Sequence, residues 1–195
     1  DPSTYVPGMI DRIVRTKNIG KITKGIANQN TKKIEALVDT PKGVSTIESK
    51  KPVSFIGRHK EKEFLVLANG PMLFSYKEKI DRFIKKKNPV IIGVNYLGGL
   101  ITPHYHGFIL TKRLIKYIDQ VHKESKLLLG SYIPDKVIAE RVSRSYETVY
   151  YEDILGPEFE IKNGVISSNC RTVSILMMGV AVAMGAKRIY AAGLD

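Results

Sequence analysis

Phe64-Leu65-Val66-Leu67-Ala68-Asn69-Gly70-Pro71 is a short apolar run that stops abruptly at three turn-forming residues. A run apolar at every position leaves no face for water, so it predicts a strand buried on both sides. Working outward, a helix is predicted from Tyr76 to Lys87, then a strand Val90-Ile91-Ile92-Gly93-Val94 that ends at Asn95. His104 to Leu110 is a third strand candidate, followed by a helix from Lys112 to about Lys123. Lys126 to Leu129 reads as a fourth strand, Asp135 to Arg144 as a helix behind Pro134, and Glu147 to Tyr151 as a fifth strand. Cys170 to Met184 is a long apolar helix closed by Gly185 in a C-cap position, and Arg188 to Ala192 is the last strand. Strands apolar on both faces, separated by helices, predict a covered parallel sheet. The expected fold class is α/β: a Rossmann-like, doubly wound, mostly parallel sheet with helices on both faces.

Residues 1–62 read differently. They are polar, rich in Lys, Thr and Asn, and punctuated by Gly20, Gly25, Pro41, Gly43, Pro52 and Gly57. Ile10 to Val14 and Lys32 to Val38 can form short helices. The expectation is a lead-in or linker region that docks on a main domain spanning residues 63–195. The sequence starts at Asp1 and stops at Asp195, directly after an apolar strand, which suggests a fragment truncated at its C-terminal end.

With 195 residues, 43% of them hydrophobic, the chain can bury one full core. Its longest apolar run, Val173 to Met184, is broken by Ser174 and Gly179 and falls short of the ~18 residues of a membrane-spanning helix. No signal-peptide pattern opens the sequence. The single cysteine, Cys170, excludes an internal disulfide and suits a reducing compartment, so the expected location is cytoplasmic. A formal charge of +12, from 31 Lys+Arg against 19 Asp+Glu, points to an anionic partner. The lysines are scattered, with no aromatic-interleaved basic stripe, which argues against nucleic acid. Nucleotide phosphates or an anionic membrane surface account for the charge equally well.

In open parallel sheets, ligands bind outside the carboxyl ends of the strands, where the strand order reverses. That rule selects Asn69, Gly70 and Pro71 after the first strand, Asn95 and Tyr96 after the second, Thr111 to Arg113 after the third, and Leu194 and Asp195 after the last. Gly70 lets backbone approach a ligand, Pro71 stiffens the turn, and a following helix N-terminus can face a phosphate. An ordinary strand-to-helix turn uses the same residues. No dinucleotide fingerprint or Walker loop is present. Asn95 is either a ligand contact or a turn residue ahead of Gly98-Gly99. Ser167, Ser168 and Asn169 supply either the N-cap of the apolar helix or an anion contact. His104 and His106 share a strand face at a spacing that suits a metal, but a third ligand is missing, so no metal site is assigned. Tyr150 and Tyr151, beside Glu152 and Asp153, read as strand-end packing or as groups facing a sugar. Cys170 reads as a core residue.

Two blocks carry a resemblance. Phe64 to Leu73, with its Asn-Gly-Pro turn, and Ser174 to Asp195, ending Ala-Met-Gly-Ala-Lys-Arg-Ile-Tyr-Ala-Ala-Gly-Leu-Asp, resemble the bacterial CMP-sialic-acid-dependent sialyltransferases. They equally resemble a broader bacterial and archaeal domain family that includes motility-associated glycosyltransferase-like proteins and 6-hydroxymethylpterin diphosphokinases. The likeness spans about residues 63 to 195 and is firm over the first and last blocks. It implies that Asn69 and Gly70 contact a nucleotide, that Asn95 contacts its base, ribose or phosphate, and that Ser168 and Asn169 line the same pocket. Met72 stands where the family loop has serine. The family's catalytic histidine lies downstream of the final Gly-x-Asp, so no catalytic base is assigned. Residues 112–163 align with nothing in that family.

The function this implies is a domain that binds a CMP-type nucleotide-sugar and transfers the sugar to a glycan acceptor in surface-glycan assembly. Lys112 and Arg113 are candidates to stabilise the charge of an oxocarbenium-like transition state. No cofactor beyond the nucleotide-sugar substrate is implied. One alternative is a non-catalytic nucleotide-binding module attached to another enzyme, such as an aldolase. Another is a pterin pyrophosphokinase, which would need Mg²⁺ and carboxylates, with Asp195 the one so placed.

Overall fold

The computed structural model describes residues 55–194, apart from 157, 170 and 171. All of them fall within one compact unit that begins at Lys51. The short helices expected near Ile10 and Lys32, and the expected core role of Cys170, lie outside the described residues.

Eight strands form one sheet. They are β1 (Glu63–Leu67), β2 (Val90–Val94), β3 (Tyr105–Phe108), β4 (Lys126–Gly130), β5 (Tyr146–Asp153), β6 (Phe159–Lys162), β7 (Val165–Ser168) and β8 (Arg188–Ala192). Their order across the sheet is β6-β7-β5-β4-β3-β2-β1-β8. Every neighbouring pair is parallel except β6 and β7. The fold is therefore α/β with a mostly parallel sheet, as the doubly apolar strands require. The helices are α1 (Met72–Ser75), α2 (Lys77–Lys87), α3 (Thr111–Tyr117) with a 3-10 turn at Ile118–Gln120, α4 (Asp135–Arg141) and α5 (Val173–Ala183).

Strand alternation sorts the core into two sides. Phe64, Val66, Ile92, Val94, Tyr105 and Leu128 pack against Leu176, Met177, Val180 and Ala181 of α5. Leu65, Leu67 and Ile91 turn the other way, onto Leu73 of α1 and Ile80 of α2. Phe108, Leu127 and Leu129 do the same with Leu114 of α3 and Ile138 of α4. Because α5 is buried along most of its length, it needs no amphipathic stripe, and its sequence has none.

The segment Phe55–Lys62, read as part of the lead-in, packs into this unit. Phe55 is buried in the α5 side of the core. The N–H groups of Gly57, His59 and Glu61 donate to the carbonyls of Ala183, Met184 and Gly185, which fills acceptors that a helix end leaves open. Arg58 forks onto both Glu147 oxygens at 2.7 and 2.8 Å, and His59 Nε2 pairs with the Tyr105 hydroxyl at 2.8 Å. Gly185, at φ 88°, ends α5 as its sequence predicts.

Three elements depart from expectation. The helix expected from Tyr76 is preceded by a separate turn, α1, because Pro71 at φ −59° already sets helical backbone there. The N-cap of α5 is Thr172, whose Oγ1 accepts from the Ile175 N–H, whereas Ser167 and Ser168 pair within β7. The hairpin β6–β7 was not expected. Its two-residue turn is Asn163-Gly164, both at positive φ (51° and 79°), a combination that matches the twist of antiparallel strands.

Among the described residues no helix is long and apolar enough to cross a membrane.

Met177 is fully buried between α5 and the sheet. Met177→Ala should lower unfolding free energy by about 2–5 kcal/mol. Urea denaturation checks this, and wild-type stability in the variant would mean that α5 does not seal that side.

Candidate functional site

The strand order reverses at β1. From β1 the chain steps to β2 and onward through β5 and β7, and only then does α5 carry it back to place β8 on the far side of β1. The turns after β1 and β8 are therefore neighbours. Gly70 donates its N–H to the Gly193 carbonyl at 2.9 Å. Gly193 sits at φ 72°, and a Cβ there would meet the Ala68 carbonyl oxygen at 2.9 Å. Only glycine fits this approach without strain.

The turn after β1 and the end of β2 also meet. Asn95 Nδ2 donates to Asn69 Oδ1 at 3.3 Å. Asn69 is exposed while Asn95 is buried. The Asn95 N–H donates to the Gly107 carbonyl at 3.2 Å, so the residue still belongs to the β2–β3 ladder. At the same residue φ becomes 50°, which turns the chain out of the sheet. Asparagine tolerates that left-handed backbone better than a β-branched residue would.

Residues 95–104 then join β2 to β3 without a helix. This connection lies directly on the sheet because Gly93 has no side chain: a Cβ there would meet Leu97 Cδ1 at 2.4 Å. Beneath it is a cavity of about 100 Å³, lined by residues that include Asn95, Leu97, Thr102, His106, Gln120 and His122. His106 is buried, stacks on Phe108 at 5.1 Å, and lies with Nε2 2.9 Å from the Asn95 carbonyl. Since a carbonyl only accepts, Nε2 carries the proton. Burial drives the His106 pKa down to about 4, against a smaller opposing effect of this hydrogen bond, so the ring is neutral at pH 7.

On the rim, Tyr96 contacts Phe74 at 6.3 Å and Tyr117 at 5.1 Å between ring centroids. Lys116 lies 5.1 Å from the Tyr117 ring centre, and hydrogen bonding from Lys116, helped by Arg113, lowers the Tyr117 phenol below its ordinary value.

The predicted residues divide accordingly. Asn69 and Asn95 touch. Gly70 is buried with its N–H taken by Gly193, and Pro71 is exposed at the start of α1. Ser168 ends β7, and Asn169 follows it. Five strand spacings separate β7 from β1, about 24 Å at ~4.8 Å each, so these two stand apart from the Asn69–Asn95 pair. Asp195 lies outside the described residues. His104 and His106 do not act together: His104 is exposed and its Nδ1 accepts from the Ile91 N–H, while His106 turns to Asn95. Among the described residues no three His, Cys, Asp or Glu side chains gather as metal ligands. Sequence reasoning missed the cavity. Its signal was the Gly98-Gly99 pair in a strand-to-strand connection with no helical period.

Two outcomes follow. In Asn95→Gly the left-handed backbone is kept, whereas Asn95→Ala adds about 1–2 kcal/mol of strain, so the alanine variant should be the less stable in urea. For His106, the unfolded ring protonates near 6.5 and the folded ring near 4. Within that window the unfolded chain binds the extra proton, so stability falls as pH drops from 6.5 toward 4. The loss is about 3 kcal/mol at about 1.4 kcal/mol per pH unit, and His106→Gln should flatten that part of the urea-measured profile. No protein-family model, curated protein or solved structure matches this chain.

Proposed function

We infer that residues 63–195 form a Rossmann-like, doubly wound nucleotide-binding domain that serves sugar transfer from a CMP-type nucleotide-sugar to a glycan acceptor in surface-glycan assembly. The observation that carries the nucleotide part is the Asn69–Asn95 hydrogen bond at the point where the strand order reverses. Open α/β sheets hold their ligands at such a point. Asn69 presents an exposed amide there, able to donate to and accept from a nucleotide. The Tyr96–Tyr117 pair supplies ring faces on which a base can stack, and Arg113 and Lys116 supply cations for phosphate. A leaving nucleotide phosphate needs such cations as its charge develops.

The sugar-transfer part, and the cytidine preference, rest on the resemblance of the Asn-Gly-Pro turn and the terminal block. A single cysteine fits cytoplasmic placement. A second reading, a non-catalytic nucleotide-binding module, is favoured by the turn itself. Met72 replaces a hydroxyl, and the Gly70 N–H is spent on Gly193 instead of a phosphate. For a pterin pyrophosphokinase, the carboxylate required beside the turn would be Asp195, which lies outside the described residues.

Thermal unfolding with CMP, CTP, and ATP plus Mg²⁺ separates these readings. CMP or CTP should stabilise the chain selectively, by about 2.7 kcal/mol at a hundredfold excess over Kd. Asn69→Ala should remove most of that gain, measured against the variant's own ligand-free unfolding, because the exposed amide that meets the nucleotide is lost. Stabilisation by ATP with Mg²⁺ alone would favour the pyrophosphokinase, and no response to any nucleotide would sink the proposal. Binding without transfer to any acceptor would leave the non-catalytic module.

A further inference from the structure

His106 has two ring nitrogens, and the fold employs one. Nε2 donates to the Asn95 carbonyl, which leaves Nδ1 as a bare acceptor. Among the described residues Nδ1 has no hydrogen-bond partner, yet no fully buried side-chain nitrogen or oxygen goes unpaired. Nδ1 therefore retains contact with open space. The residue is only 4% exposed and lines the cavity under residues 95–103, which is where its ring meets open space.

The remaining lining defines what fits. It contains no Lys, Arg, Asp or Glu, so a charged group entering it would lose water without gaining an ion partner. It alternates apolar Leu97, Ile101 and Pro103 with polar Thr102, Gln120 and His122. A volume of about 100 Å³ suits a group of a few heavy atoms, since a cavity of about 150 Å³ holds benzene. Apolar strips beside hydrogen-bonding atoms match the edge of a small hydroxylated ring.

We propose that this cavity is a binding pocket for a small neutral hydroxyl-bearing group, such as a pentose edge, with His106 Nδ1 accepting a hydroxyl proton. The left-handed Asn95 makes the pocket. Its carbonyl fixes the imidazole tautomer, while its side chain holds Asn69. The same chemistry has two sources, a free sugar or the ribose of a bound nucleotide, and assignment to ribose rests on the nucleotide reading above.

Imidazole and amide ¹⁵N NMR of the 195-residue chain, titrated separately with methyl riboside and with CMP, tests this. Methyl riboside should shift the His106 Nδ1 resonance saturably. His106→Gln, which keeps an N–H for the Asn95 carbonyl, should weaken riboside binding about tenfold with its melting temperature retained. Movement of both Nδ1 and the Asn69 amide by CMP places the ribose in the pocket. Riboside binding with no CMP effect at Asn69 upholds the pocket and removes the nucleotide reading. CMP binding at Asn69 with Nδ1 silent toward both ligands overturns the pocket and keeps the nucleotide reading. Silence at every position overturns the pocket on wild-type protein, whether or not the variant folds.

Discussion

Asn95 keeps its N–H in the β2–β3 ladder while its φ of 50° swings the following chain out of the sheet. Two contacts that shape this edge of the molecule follow from that single residue. Its side chain reaches Asn69 across from β1, and its carbonyl reaches His106 on β3. The turn after β1, the end of β2 and the body of β3 are thus tied through one buried amide-bearing residue. Leaving its amide unpaired in that buried position would cost about 1–3 kcal/mol. Side-chain polar groups at a strand end normally satisfy themselves in water. Here they satisfy one another, which preorganises the groups a ligand would meet.

Two absent side chains make the arrangement possible. At Gly93 a Cβ would collide with Leu97, and at Gly193 with the Ala68 carbonyl. The first lets the β2–β3 connection lie flat over the sheet and line a cavity open to solvent; the second lets the β8 turn press against the β1 turn. The consequences differ. Close approach at Gly193 consumes the Gly70 N–H, which would otherwise point at a ligand. The four-residue α1, headed by a proline without an N–H, offers little dipole in compensation. A ligand at the proposed site would therefore meet side chains, above all Asn69 and the cations near Tyr117, more than a backbone cradle.

The sheet was legible because its strands are apolar on both faces. Glu63–Leu67, Val90–Val94, Lys126–Gly130 and Arg188–Ala192 lie within one residue of their expected bounds at either end. The β6–β7 hairpin escaped, although Asn163-Gly164 is a strong turn signal, because its strands are short, exposed and polar: Phe159–Lys162 shows little burial. Asn69 and Asn95 were selected by the family resemblance and by topology, which a parallel sheet makes predictable from strand ends. The distance of Ser168 from that pair was not legible, because nothing local tells which side of the sheet receives a strand, and β7 lies beyond β5. The His106 pocket was illegible for a related reason. Its walls come from residues 95–103, β3 and the turn after α3, and no periodicity reports that they converge.

Part of the charge of +12 falls on the described residues and can be placed there. Many cations are already committed to the fold. Arg58 is forked onto Glu147, Arg144 holds the carbonyls of His122, Lys123 and Ser125, and Arg188 and Lys87 both approach Glu63. Surface pairs such as Lys136–Glu140 are worth at most about 1 kcal/mol and steer rather than bind. Exposed charges more than about 10 Å from a ligand are largely screened at 0.1 M salt. Net charge therefore raises the encounter rate for an anion, while its residence depends on cations beside the site. Lys116 and Arg113 meet that condition, because the ring they polarise, Tyr117, packs on Tyr96, and Tyr96 follows Asn95 directly. For the proposed nucleotide, these two cations are the ones that stand beside the Tyr96–Tyr117 rings among the described residues.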